Sequence, residues 1–178
     1  DGQCVKILTA STDIGQGVET TFPQIAAGEL GIAVDRVFNT PHDTAMVPDS
    51  GPTVASRTCM VVGGVLKKAA VQLREALQAE TGLDTDDFDE LIGARQHTIP
   101  LRVQAEYEDD GSMDWDDATY SGDAYPCYGW SCSVVDLDVD LDTGEVLYRR
   151  YVGSTDVGKA INPVIVAGQL EGGAIQAL

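Results

Sequence analysis

The sequence predicts an α+β fold in which a mixed, largely antiparallel sheet carries packed helices. Three observations lead there. Residues 18–30 and 62–77 place apolar side chains at helical spacing, whereas 5–10, 101–107 and 132–142 alternate apolar and polar residues. The order of these segments mixes hairpin-like pairs with helices and shows no regular strand–helix repeat. With 178 residues, 43% of them hydrophobic, the chain is read as a single domain over 1–178 with enough apolar material for a core.

Residues 5–10 form the first strand, and Gly15-Gln16-Gly17 then opens a helix on which Val18, Phe22, Ile25, Ala26 and Leu30 share a face. Gly31 is its C-cap, and Pro23 removes one backbone bond inside it. Residues 36–39 make a short strand. A loop over 40–55, rich in Pro, Asp, Gly and Thr, leads to a second helix that Ser56 or Thr58 can cap. Val62, Val65, Leu66, Ala69, Ala70, Leu73, Ala76 and Leu77 trace its apolar stripe. Residues 85–93 form a short third helix with Phe88, Leu91 and Ile92 inward. After the alternating segment 101–107 and an acidic turn, Val135, Leu137, Val139 and Leu141 oppose Asp136, Asp138, Asp140 and Asp142, the pattern of a strand buried on one face. Asp142-Thr143-Gly144 turns the chain back into a partner strand over 145–152, and 162–178 closes as a helix.

Charge and length exclude several functions. Acidic residues number 29 against 11 basic, a net charge of −18, so no face carries the cationic footprint that nucleic acid requires. No apolar run reaches the roughly 20 residues of a bilayer span, and the first residues lack a signal-peptide layout. No membrane partner is expected, and the expected location is cytoplasmic. Cys4, Cys59, Cys127 and Cys132 are then buried or inert thiols. The pair Cys127-x4-Cys132 lacks the third cysteine that an iron–sulfur ligand set would need. Because Asp1 follows no Met and the last helix ends in an apolar run, the chain is read as a piece of a longer subunit, truncated at both ends.

The candidate chemistry lies at helix entrances. Gly15-x-Gly17 directs backbone N–H groups and the positive helix end at whatever sits above it, which suits an anion. It is not a dinucleotide fingerprint, since Thr20 occupies the third glycine position. Pro52 through Thr58 brings small residues and hydroxyls to the second entrance; Asn162-Pro163, ahead of Gly168-Gln169-x-Glu171-Gly172-Gly173, makes a third. The three either share a ligand or are independent caps. Glu106 to Asp117 approximates a calcium loop with its end residues reversed and is read as a solvated acidic turn. His42 and His97 sit apart from other metal ligands, and neither a serine nucleophile elbow nor a catalytic base is identifiable.

The segment Ile14-Gly15-Gln16-Gly17-Val18-Glu19-Thr20, followed by Gln24 to Ile32, resembles the Met-Gly-Gln-Gly helix in the molybdenum-binding large subunit of the xanthine dehydrogenase family, with Ile14 in the Met position. Asp43-Thr44, Pro52 to Thr58, Val139 to Val146, Asp156 to Pro163 and Gly168 to Gly173 continue the likeness in order through nearly the whole chain. The resemblance implies one domain of a molybdopterin-binding subunit from a molybdenum hydroxylase. Such an enzyme oxidises a small-molecule substrate (a purine, another N-heterocycle or an aldehyde) with water as the oxygen source. Its cofactor would be molybdopterin, in the cytosine dinucleotide form, carrying molybdenum. Iron–sulfur clusters and FAD would lie on partner subunits or domains, and the remainder of the chain's own large subunit would be a further partner.

By the same resemblance Gly15, Gln16, Gly17 and Gln169 lie near the metal and pterin, and Thr53, Val54, Ala55, Ser56, Arg57 and Thr58 form the loop that holds the pterin and its phosphate. None ligates molybdenum directly. The family's catalytic glutamate belongs to a Gly-x-Gly-Glu segment expected beyond residue 178, so the isolated piece is expected to be inactive. The alternatives are a non-enzymatic relative that keeps the fold and a phosphate- or nucleotide-binding module built on the Gly15 entrance.

Overall fold

The structure is a computed structural model that describes residues 4–96, 99–108, 111 and 113–177. His97, and Asp109 and Asp110 of the acidic loop, lie outside the described residues. The chain folds as two compact units, residues 1–108 and 109–178, and each is described by itself.

In the first unit β1 (Val5–Ile7) leads into α1 (Val18–Leu30), a 3-10 turn (Val34–Arg36) and β2 (Val37–Asn39). β2 pairs with β1 in parallel, Val5 opposite Val37 and Ile7 opposite Asn39, because the α1 crossover returns the chain in the same direction. β1 is shorter than expected: Thr9 and Ala10 have left the ladder for side-chain contacts described below. Gly31 ends α1 in the left-handed conformation, φ 70°, and its N–H donates to the Ala27 carbonyl. The helix runs unbroken through Pro23. Proline has no N–H to offer the carbonyl four residues back, that of Glu19, and Asn39 Nδ2 donates to that oxygen instead at 2.7 Å. The gap left by Pro23 thus becomes a bond from β2 to α1.

A single π-type turn (Thr58–Val62) precedes α2 (Gly63–Thr81), and α3 (Phe88–Ala94) follows. Phe22, Ala26, Ile7, Val37 and Val62 form one apolar cluster. Leu30, Ala70, Leu77, Phe88 and Leu91 form a second. α1 contributes to both. Arg74 Nη1 on α2 donates to the Glu29 carbonyl in the last turn of α1 at 2.9 Å. Asp87 caps α3, accepting from the N–H groups of Asp89 and Glu90 at 2.9 and 3.2 Å. The Arg36–Asp89 ion pair, at 2.6 Å, fastens that helix to the 3-10 turn. Residues 101–107, expected as a strand, join no described ladder.

The second unit contains a small hairpin, β3 (Asp114–Asp116) with β4 (Ser121–Asp123), then β5 (Trp130–Val139), β6 (Val146–Asp156) and α4 (Pro163–Ala177). The small hairpin occupies part of the acidic stretch read as a turn; Trp115 and Tyr120 meet edge to face across it, 5.1 Å apart. β5 and β6 pair antiparallel as the alternation predicts, with a bulge that leaves Arg149 unmatched and bonded to Asp138. Their apolar face is not buried. Val135, Leu137 and Val139 are 40%, 41% and 48% exposed, since no described element of this unit packs over them. All four cysteines are exposed rather than buried. Among the described residues no helix is long and apolar enough to cross a membrane.

The two Leu positions should therefore differ sharply. Leu77→Ala, at a site 1% exposed, should lower the unfolding free energy by about 2–5 kcal/mol in a denaturant titration. Leu137→Ala on the open ribbon should change it by about 0.5 kcal/mol or less.

Candidate functional site

Two loops of the first unit meet where β1 ends. Ala10 N–H donates to Ser50 Oγ at 2.9 Å, and that hydroxyl also shares a hydrogen bond with Thr9 Oγ1 at 2.9 Å. Thr12 N–H donates to Thr53 Oγ1 at 3.1 Å. His42 Nδ1 lies 2.9 Å from the Thr9 carbonyl, which only accepts, so that nitrogen carries the proton. Hydroxyls and one imidazole thus stitch the 9–17 loop to the 42–58 loop. The structure brings Gly15, Gln16 and Gly17 into one unit with Thr53 through Thr58.

The α1 entrance is already occupied from within. Asp13 Oδ1 accepts from Gly15 and Gly17 N–H at 2.8 and 3.3 Å, and Oδ2 from Glu19 N–H at 3.0 Å. This corrects the expectation that these amides are open to an anionic ligand: a carboxylate of the chain holds them. The Glu19 N–H does most to keep the Asp13 carboxyl below the usual aspartate range, and the Gly15 and Gly17 donors reinforce it against partial burial. Gln16 closes the same turn, its Oε1 accepting from Ile14 N–H at 2.7 Å and its Nε2 donating to the Thr12 carbonyl at 2.8 Å. The positive φ of Gly15 (104°) and Gly17 (80°) permits so tight a loop.

The α2 entrance differs. No side chain caps the turn at Thr58–Val62 or the helix after it, so neither Ser56 nor Thr58 serves as the expected cap. Immediately before it, Ala55 and Ser56 have φ of 53° and 54°, left-handed values that cost a non-glycine residue about 1–2 kcal/mol each. Arg57 holds this strained loop, its Nη1 donating to the carbonyls of Ser50 and Pro52 at 3.1 and 2.9 Å. Gly51 (φ 68°) lets the guanidinium approach: a Cβ there would stand 3.1 Å from Arg57 Nη1. Arg57 is thus a clamp within the loop. α3 has Asp87 as its cap, and Asn162 Oδ1 accepts from Ile165 N–H at 3.1 Å at the start of α4. At the α2 entrance the N-cap residue, Arg57, makes no side-chain cap bond, and neither does Val62 ahead of α2. Its positive end, with the Thr53 and Ser56 hydroxyls beside it, forms a neutral donor set that fits an anionic, oxygen-rich group.

Val54 is exposed and Thr58 buried on this loop. Gln169 lies on α4 in the second unit. Among the described residues no three His, Cys, Asp or Glu side chains gather as a metal site. Sequence reasoning missed Asp13 and Ser50. A short polar residue two ahead of Gly15-x-Gly17 was the available sign of Asp13; Ser50, some 40 residues from its partners, left none.

Asp13→Ala should cost about 0.5–2 kcal/mol at pH 7 in denaturant titration, the usual range for losing a cap. A carboxyl depressed in the folded state stabilises above its unfolded value, about 3.9, and the contribution goes as pH falls through the folded value. The gap between the two proteins should therefore close below about pH 4. In the second loop Gly51→Ala should destabilise by about 1 kcal/mol or more, whereas Ala55→Gly should leave stability unchanged or raised.

Comparison with known proteins agrees with this geometry. The chain is 29% identical over 98% of its length to the gamma subunit of the 6-hydroxypseudooxynicotine dehydrogenase complex of Paenarthrobacter nicotinovorans, covering 24% of that protein. It is 28% identical over 98% of its length to xanthine dehydrogenase 2 of Arabidopsis thaliana, covering 13%. The crystal structure of the aldehyde oxidoreductase from Desulfovibrio desulfuricans superposes with a TM-score of 0.78 at 25% identity, over 97% of this chain and 19% of the other. The chain therefore spans a quarter or less of the length of these relatives. A family model described as the molybdopterin cofactor-binding domain matches residues 1–178, and the chain belongs to that family.

Proposed function

We propose that this chain is the part of a xanthine dehydrogenase-like large subunit that holds molybdopterin through neutral donors at the α2 entrance. One observation carries the reading: α2 begins with no side-chain cap, directly after two non-glycine residues held in left-handed backbone. Thr53, Ser56 and the first amides of the helix would bind the phosphate and pterin oxygens, and Arg57 would keep their loop in shape. Gln16, in the turn that Asp13 organises, would stand near the metal. When bound, the cofactor supplies two-electron oxidation with water as the oxygen source.

The same reading extends to the complete enzyme. Its substrate would be a purine, another N-heterocycle or an aldehyde, and its cofactor the cytosine dinucleotide form. Iron–sulfur and FAD subunits or domains would receive the electrons. The names of the relatives support an oxidoreductase of several parts. The catalytic glutamate would come from outside these residues, leaving the piece alone inactive. A phosphate- or nucleotide-binding module is the second reading, since an uncapped helix start suits any phosphate.

The complete subunit, purified with its partners, should contain molybdenum near one per chain with the corresponding excess of phosphorus. Thr53→Val combined with Ser56→Ala should reduce molybdenum about tenfold while the circular dichroism spectrum is retained. Stabilisation by nucleotides without molybdenum, in protein from cells that make the cofactor, would select the second reading.

A further inference from the structure

A cavity of about 560 Å3 in the first unit is lined in part by the loops of the site, through Thr9, Ser50, Gly51 and Arg57. Residues 5–9 and 102–107 both line it, and its apolar surface comes from α1 and α2, with Phe22, Val62, Leu66 and Leu73 among the contributors. β1 is laddered to β2 on one edge, and no described strand takes the other. Residues 101–107 alternate Leu101, Val103 and Ala105, half-buried, with Arg102, Gln104 and Glu106, exposed. They have the side-chain pattern of a strand. Yet no main-chain hydrogen bond joins them to another described residue. Backbone groups beside an apolar cavity require partners; no described backbone bond supplies them for 102–107, and β1 has a described strand on one edge only.

We infer that an extended strand from the remainder of the same large-subunit polypeptide lies in this cavity, adding to the free edge of β1 and running beside residues 102–107. About five residues, roughly 17 Å of strand, match the reach of residues 5–9. Alternate side chains of the incoming strand would be apolar and rest on α2, and its main chain would satisfy backbone groups of β1 and of 102–107. The remainder of the polypeptide is the occupant because this chain accounts for only 24% and 19% of two relatives that contain its fold. A strand supplied in cis also avoids the association cost of a separate partner. The inference does not depend on the cofactor.

Two measurements on the complete subunit, purified with its partners, test it. In hydrogen exchange the amides of residues 102–107 should exchange at least about 100-fold more slowly than an unladdered loop; exchange within seconds there would overturn the strand. A photo-crosslinking residue at Val103, with a second placement at the exposed Gln104, should join to a segment of the same polypeptide outside residues 1–178. Crosslinks only within 1–178, to a partner subunit or to a second copy would overturn the assignment. Neither readout involves molybdenum, so failure here is distinct from failure of the functional reading.

Discussion

Burial of α1 on two sides is the constraint on which the first unit rests. Phe22 and Ala26 enter one apolar cluster and Leu30 the other, so this helix joins two cores that would otherwise be separate patches. Each end of it is also tied through one of its own carbonyls to a distant donor: Asn39 donates to the Glu19 oxygen that Pro23 leaves open, and Arg74 donates to the Glu29 oxygen. With the helix held at both ends, the loop that feeds it has little freedom. Asp13 and Gln16 then use that loop's own amides and carbonyls to close the Gly15 turn.

The two loops of the site achieve order in opposite ways. The 12–17 loop is satisfied internally, with a depressed carboxyl and glycines where φ is positive. The 50–58 loop is held by force, with an alanine and a serine in a backbone region that favours glycine and an arginine spanning it. A loop that keeps strain and gives its helix no side-chain cap from the N-cap residue has given up stability, and such concessions concentrate where a ligand recovers them. The hydroxyl bridges at Ser50 and Thr53 make the two loops one rigid body, so order in the first constrains the second.

Local patterns were legible in the sequence, and long-range bonds were not. The stripes of α1 and α2 placed Phe22, Ala26, Leu30, Ala70 and Leu77 inside correctly, because a 3.6-residue period records which side of a helix is dry. Gly31 announced the end of α1. The parallel direction of β1 and β2 escaped, since each strand has three residues and direction is set by the crossover. Thr53 through Thr58 were visible as donors; the left-handed backbone of Ala55 and Ser56 was not, because neither residue type signals it. The alternation at 132–142 correctly announced a strand pair but not the exposure of its apolar face, which depends on what packs above it.

That open ribbon also gives the row of aspartates a second meaning. Val135, Leu137 and Val139 alternate with Asp136 and Asp138, and Asp140 and Asp142 follow at the tip, so each of these three apolar residues has a carboxylate as its neighbour in sequence. At neutral pH, like charge keeps two such ribbons from zipping together edge to edge. Asp140, which accepts the N–H groups of Thr143 and Asp142, keeps its charge further into acid than an ordinary aspartate. The row of carboxylates thus sets charge repulsion beside an exposed apolar ribbon, so the same residues that mark the strand's polar side also oppose its pairing with a second copy.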